Sequence, residues 1–205
     1  MKKDSTLYVA IFMCIVSFAF VLPLSLANEF TKSAVAANKL FSSRKAVLDA
    51  FGLVYSSPEE AISIYDEAVT EVPGTPMSWQ TTKEGAEHFA VEVTGPALWG
   101  SVTIIIASNK DVSILDGMTV LSQLETPGLG GRIDEAWFQN QFRDEKVSAE
   151  GITITTGTEA LGKGDSDSEN SIIDGITGAS RTTDSIEALV NNGIAELRKI
   201  GGKAK

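Results

Sequence analysis

The segment Asp174-Gly175-Ile176-Thr177-Gly178-Ala179-Ser180-Arg181-Thr182-Thr183 concentrates the groups in this chain best suited to chemistry. The hydroxyls of Ser180, Thr182 and Thr183 and the cation of Arg181 crowd the point where the last amphipathic stretch begins. The first N–H groups of a helix have no partner within it and carry the positive end of its dipole, so such a terminus receives phosphate readily. Gly178 and Ala179 would let a bulky group approach the backbone. The same residues also read as an ordinary helix start, with Thr182, Thr183 or Asp184 as the cap and Glu187 completing the capping box.

A second segment, Glu125-Thr126-Pro127-Gly128-Leu129-Gly130-Gly131, directly follows an expected strand. Its glycines and proline fix a tight loop with exposed backbone, which can lie flat against a planar ring or serve as a plain turn. It is not a dinucleotide fingerprint, because Ile133 stands where the last glycine would be needed. A third loop, Gly95-Pro96-Ala97-Leu98-Trp99-Gly100, presents Trp99 either for ring stacking or for core filling. Other constellations fail. Thr182 occupies the position where a nucleophile elbow requires glycine. His88 lies in an expected strand and has no acid partner evident in the sequence. Asp165, Asp167 and Glu169 begin like a calcium loop, but Asn170 replaces its glycine and Ile176 its closing glutamate.

The composition narrows the chemistry further. The chain has 205 residues, 43% of them hydrophobic and 21% charged, enough apolar material for a real core. A formal net charge of −10 makes nucleic acid a poor partner. Cys14 is the single cysteine and His88 the single histidine, so no intramolecular disulfide can form and no zinc or iron–sulfur site is expected. Redox work by this chain would need an organic cofactor.

These residues must be positioned by the elements around them. Lys2 and Lys3 precede an uncharged apolar run from Leu7 to Ala27, long enough to cross a bilayer if Pro23 is tolerated near its end. The paired lysines favour a cytoplasmic N-terminus, which puts the remaining chain outside. The alternative is a signal peptide cleaved after the small residues Ser25-Leu26-Ala27, and it exports the chain equally. Residues 1–27 are thus expected to be the cytoplasmic N-terminus and transmembrane anchor, 28–55 an amphipathic connecting helix, and 56–205 the exported domain. In the connecting helix Phe30, Ala34, Ala37, Phe41, Leu48 and Phe51 share one face, and Gly52 ends it. A short helix is expected over Pro58–Glu71. The period then changes, predicting antiparallel strands at His88–Thr94, Ser101–Ala107 and Val112–Leu124, with residues 103–106 well buried. A short helix at Glu135–Phe142, a strand at Gly151–Thr156, a polar loop from Gly162 to Asn170 and a helix over about Asp184–Ile200 complete an α+β reading.

Taken together, these segments resemble the FMN-binding domain found in the G subunit of Rnf electron-transport complexes and in the C subunit of sodium-translocating NADH:quinone reductases. The family's flavin-attachment motif is matched in order by Asp174, Thr177, Gly178, Ala179 and Ser180, with Ser180 where threonine is usual. Its Glu-Thr-Pro-Gly-Leu-Gly loop is matched by Glu125, Thr126, Pro127, Gly128, Leu129 and Gly130, and its Leu-Trp pair by Leu98 and Trp99. Asn38-Lys39-Leu40, Arg44, Val47-Leu48 and Gly52-Leu53 are similar to the family's helix after the anchor. The resemblance implies a membrane-anchored electron carrier that holds FMN as a phosphoester on Ser180, with Arg181, Thr182 and Thr183 beside it. A separate flavin transferase would attach the FMN, and the other subunits of a membrane complex would be its partners. A stand-alone extracytoplasmic flavoprotein and a cofactor-free exported scaffold are the competing readings.

Overall fold

The computed structural model describes residues 6–74, 76–156 and 163–203. Lys2, Lys3, Gly162 and Lys205 lie outside the described residues. The chain divides into two compact units, one up to Phe41 and one from Ser42 onward.

Helix α1 runs Thr6–Phe51 with Pro23 inside it, so the expected anchor and connecting helix carry one continuous helical assignment. In the first unit its apolar side chains, among them Phe18, Phe20 and Leu24, are exposed along the helix. The segment is long and apolar enough to cross a membrane by length and composition.

In the second unit, α1 ends in a buried turn formed by Ala46, Val47, Leu48, Ala50 and Phe51. Gly52 takes the left-handed conformation (φ 72°), and Leu53 N–H donates to Leu48 O while Gly52 N–H donates to Asp49 O. This is the paired C-terminal closure that satisfies the last helical carbonyls. Two cations reinforce it: Lys83 Nζ donates to Phe51 O (2.9 Å), and Arg143 Nη2 to Asp49 O (3.0 Å).

Helix α2 covers Pro58–Ala68, with Ser57 accepting the Glu60 N–H as its N-cap. It stops short of the expected Glu71, because Val69–Val72 forms strand β1. β1 pairs with β2 (Ser78–Lys83), β2 with β3 (Ala86–Pro96), β3 with β4 (Ser101–Asn109) and β4 with β5 (Leu115–Ser122), giving a five-stranded antiparallel sheet in sequence order. β5 starts at Leu115 rather than Val112, since Val112 has φ 53° and belongs to the turn. After a 3₁₀ turn at Gly130–Asp134, α3 is confined to Ala136–Asn140. A separate two-stranded parallel pair joins β6 (Thr153–Thr155) to β7 (Ile172–Asp174). Helix α4 spans Ser180–Lys203 and begins earlier than the expected Asp184.

Alternation along the strands explains the layers. Phe89, Val91, Ile104, Ile106 and Met118 pack in the main core with Ile186, Leu189, Val190, Ile194 and Leu197 of α4 and with Phe138 and Phe142. Ala90, Ile105 and Ala107 are fully buried on the opposite face, near the end of α1, where Ala50 O lies 3.0 Å from the Cβ position of Gly117. Buried Ile104–Ile106 bears out the strand read at 103–106.

Side chains of α4 complete the small sheet. Asn191 accepts the Ile152 N–H and donates to Ile152 O, while Glu187 accepts the Ile154 N–H. These bonds replace the missing neighbour of β6 and fix α4 beside it.

Gly193 marks the closest approach of α4 to the large sheet. A Cβ there would meet Ile106 Cγ2 at 2.5 Å and Val93 Cγ2 at 3.3 Å. Gly193→Val is expected to lower the unfolding free energy by about 1–3 kcal/mol through overpacking. Urea denaturation followed by circular dichroism checks this, and an unchanged midpoint would contradict the close approach.

Candidate functional site

Strand β7 delivers the chain to the glycine-rich turn. Gln141, only 8% exposed, holds its end: Oε1 accepts the N–H groups of Asp165 (2.7 Å) and Asp174 (2.9 Å), and Nε2 donates to Asp174 O (3.1 Å). Gly175 N–H then donates to Thr155 O, and buried Ile176 locks the turn into the core. Gly178 takes φ 82°, a conformation that favours glycine, and a Cβ there would sit 3.7 Å from Leu129. The turn thereby reverses into α4 with Ser180 as the first helical residue.

The three hydroxyls at this helix start differ sharply. Ser180 is exposed, whereas Thr182 and Thr183 are 1% and 0% exposed. Thr182 Oγ1 donates to Glu125 Oε2 (2.6 Å), and Thr183 Oγ1 accepts the Ile176 N–H (3.3 Å). The reading of Thr182, Thr183 or Asp184 as the N-cap is corrected: all three lie inside α4. Glu187, assigned to that capping box, instead accepts the Ile154 N–H.

Glu125 connects the remaining loops. Its carboxylate is 5% exposed, with Oε1 accepting the Trp99 backbone N–H (2.9 Å) and Oε2 the Thr182 hydroxyl. Thr126 O accepts the N–H groups of Leu129 and Gly131, closing the loop through Pro127 and Gly128. Leu98, Trp99, Leu124 and Leu129 stay exposed around this junction, Trp99 by 69%. Trp99 therefore does not fill the core. An open cleft of about 730 Å³ runs beside it between Gly95–Leu98 and the Arg181, Asp184 and Ser185 side of α4.

The structure thus brings Glu125, Leu129, Gly130, Trp99, Gly178, Ser180 and Thr182 into one neighbourhood. Asp174 is held by its backbone at the far side of the turn, against Gln141, and Thr177 is exposed on it. Sequence reasoning missed Gln141, whose role depends on loops folding onto it from 24 and 33 residues away. It also missed an acid partner for His88. Asp116 Oδ2 lies 2.7 Å from His88 Nδ1, and Lys83 Nζ donates to Asp116 Oδ1 at 2.9 Å. That cluster sits by the end of α1 and ties it to the sheet through Phe51 O.

The acidic loop before β7 folds on itself. Asp165 accepts the Asp167 N–H, and Asp167 accepts the Glu169 N–H. Glu145, 2% exposed, has an Oε1 without a hydrogen-bond partner. Burial pushes its carboxyl up to about 7, with the charges of Asp165 and Asp167 adding to the rise and the Ser171 and Ile172 N–H groups opposing it.

Comparison with known proteins bears on the resemblance read from the motifs. Residues 98–195 match the FMN-binding domain. The family resemblance read from the motifs therefore holds, and the matched span takes in the Leu98–Trp99 corner, the 125–130 loop and the first two thirds of α4. The C subunit of the Na(+)-translocating NADH-quinone reductase of Chlamydia muridarum is 31% identical over 127 residues, covering 56% of this chain and 40% of that protein. The G subunit of the proton-translocating ferredoxin:NAD(+) oxidoreductase complex of Clostridium ljungdahlii is 27% identical over 128 residues, covering 61% and 63%. The chain spans about 40% of the length of the first of these relatives. Two solved structures share the fold of this chain. The reductase's C subunit from Parabacteroides distasonis superposes with a TM-score of 0.66 at 21% identity, over 82% of this chain and 95% of that one. The Shewanella oneidensis protein gives 0.67 at 14%, over 82% and 100%. The α+β architecture is thereby established.

Proposed function

We propose that this chain is a membrane-anchored electron-transfer flavoprotein that carries FMN as a phosphoester on Ser180, within a membrane assembly of the Rnf or NADH:quinone reductase type. The observation that carries this reading is the isolation of one hydroxyl. Of the three at the start of α4, Ser180 alone is exposed, and it stands at the N-terminal end of a helix of 24 residues. The free N–H groups of that first turn and the Arg181 cation suit a phosphate. The exposed apolar side chains of Leu98, Trp99 and Leu129 suit a flat ring, and Gly178 gives the attachment turn its left-handed conformation.

Attachment is a group transfer by a separate flavin transferase. The Ser180 oxygen forms a bond to the FMN phosphorus of FAD, the pyrophosphate bond breaks, AMP leaves and the hydroxyl proton is released. Bound FMN supplies the capacity to accept and donate electrons. The residues of this chain bind and orient it: Ser180 as the anchor, Asp174, Thr177, Gly178 and Ala179 as the shape of the attachment turn, and Thr126, Pro127, Gly128 and Gly130 as the facing loop. The apolar part of α1 is the transmembrane anchor, and Lys2 and Lys3 direct the domain to the outside of the cytoplasmic membrane. Relatives named as subunits of membrane complexes support the assignment to such an assembly.

Protein produced together with a flavin transferase is expected to fluoresce in a denaturing gel and to gain the mass of one FMN less water. Complete release of flavin in denaturant would refute covalent attachment.

A further inference from the structure

We propose that Glu125 is a positioning residue: its carboxylate latches the Trp99 corner to the first turn of α4 and so holds the exposed indole in a fixed relation to Ser180. The inference rests on the flavin-attachment reading above, but the latch itself is built entirely from residues of this chain and forms without flavin.

Each oxygen of Glu125 has a separate task. Oε1 takes the backbone N–H of Trp99, and Oε2 takes the hydroxyl of Thr182. Glu125 is 5% exposed and Thr182 is 1% exposed, so the bond between them is buried and strengthened by its low-dielectric surroundings. The indole it steers is 69% exposed, and the turn carrying it closes through the Ala97 N–H to Gly100 O. Aspartate is one methylene shorter and would not span both partners. Glutamine would, with its carbonyl on the Trp99 N–H and its amide facing a Thr182 hydroxyl turned to accept.

Gly130 is the second half of the argument. A Cβ there would lie 2.7 Å from Glu125 Oε2 and closer still to Thr182 Oγ1. The latch closes across a space that only glycine leaves open. Gly130→Ala therefore drives the two oxygens apart without altering either latch residue, a route to the same effect independent of Glu125 itself.

The test uses full-length protein. Before flavin is attached, the Trp99 amide should exchange hydrogen faster in Glu125→Ala and Gly130→Ala, on the order of ten- to hundredfold for a lost charge-assisted bond. Glu125→Gln should restore protection. After attachment, flavin fluorescence anisotropy, read per flavin bound so that yield does not enter, should fall in both variants and recover in Glu125→Gln. Should Glu125→Ala not fold, Thr182→Val removes the hydroxyl at constant volume and should give the same fall in anisotropy. Wild-type exchange at Trp99, or wild-type anisotropy, in folded Glu125→Ala and Gly130→Ala would overturn the latch. Covalent flavin persisting in Ser180→Ala would instead overturn the attachment reading and leave the exchange result standing.

Discussion

Ser180→Ala protein, produced with a flavin transferase, is expected to carry no covalent flavin: no fluorescence in a denaturing gel and no mass gain. A phosphoester requires an acceptor oxygen, and the neighbouring hydroxyls are poor substitutes. Thr182 is buried and donates to Glu125; Thr183 is buried and accepts from Ile176. A transferase reaching either would have to open the first turn of α4. The variant should remain folded, since loss of an exposed serine at a helix start costs at most about 1–2 kcal/mol, against a typical total of roughly 5–15 kcal/mol. Ser180→Thr should label, because it keeps the oxygen on the same Cβ. If the label survived Ser180→Ala and vanished on loss of the Thr182 hydroxyl, the acceptor would be Thr182 and the register of the motif would be wrong.

The second large effect is on stability and concerns Glu145. Burial pushes its carboxyl up to about 7 in the folded chain, from an ordinary value of 4.5. A raised carboxyl means that the folded state keeps a proton the unfolded chain has already released. Below pH 4.5 both states are protonated and the full stability is present; between pH 4.5 and 7 stability falls as pH rises; above 7 no further loss comes from this group. At roughly 1.4 kcal/mol per pH unit the loss has an upper bound of about 3 kcal/mol. Glu145→Gln mimics the protonated form and does not ionise. It should match the parent protein near pH 4.5 and exceed it by up to about 3 kcal/mol at pH 8. Denaturant midpoints measured at both pH values decide the matter, and parallel pH profiles for the two proteins would show that Glu145 is not the titrating group.

Much of the architecture was legible because it repeats. Ile104–Ile106 reads as a buried strand from three consecutive isoleucines, and the stripe Ile186, Leu189, Val190, Ile194, Leu197 defines the core face of α4 by spacing alone. β1 and β2 were not legible. Ser78–Lys83 contains one large apolar residue, Trp79, and Val69–Val72 follows a helix with no glycine or proline between them. The start of α4 was misplaced for a related reason. Its first turn carries no apolar period, and what fixes it is tertiary: the bonds of Thr182 to Glu125 and of Thr183 to Ile176. The motif residues could be picked out by type and order, but their division into one exposed hydroxyl and two buried ones could not. Burial depends on what folds over a residue, and here that is a loop more than 50 residues earlier in the chain. Gln141, Asp116 and Glu145 stayed invisible in the same way, as polar residues whose partners are distant in sequence.

The closure of α1 has a mechanical consequence. A pull on the chain ahead of Ser42 enters the folded unit through the last turns of this helix. There the load divides. Phe51 O passes it through Lys83 to β2 and on to Asp116 in β5, and Asp49 O passes it to Arg143 beyond α3. Buried Val47, Leu48 and Phe51 must slide out of their packing at the same time. Several bonds loaded together resist far better than the same bonds broken one after another. A load entering through α1 would therefore be carried by the sheet as a block.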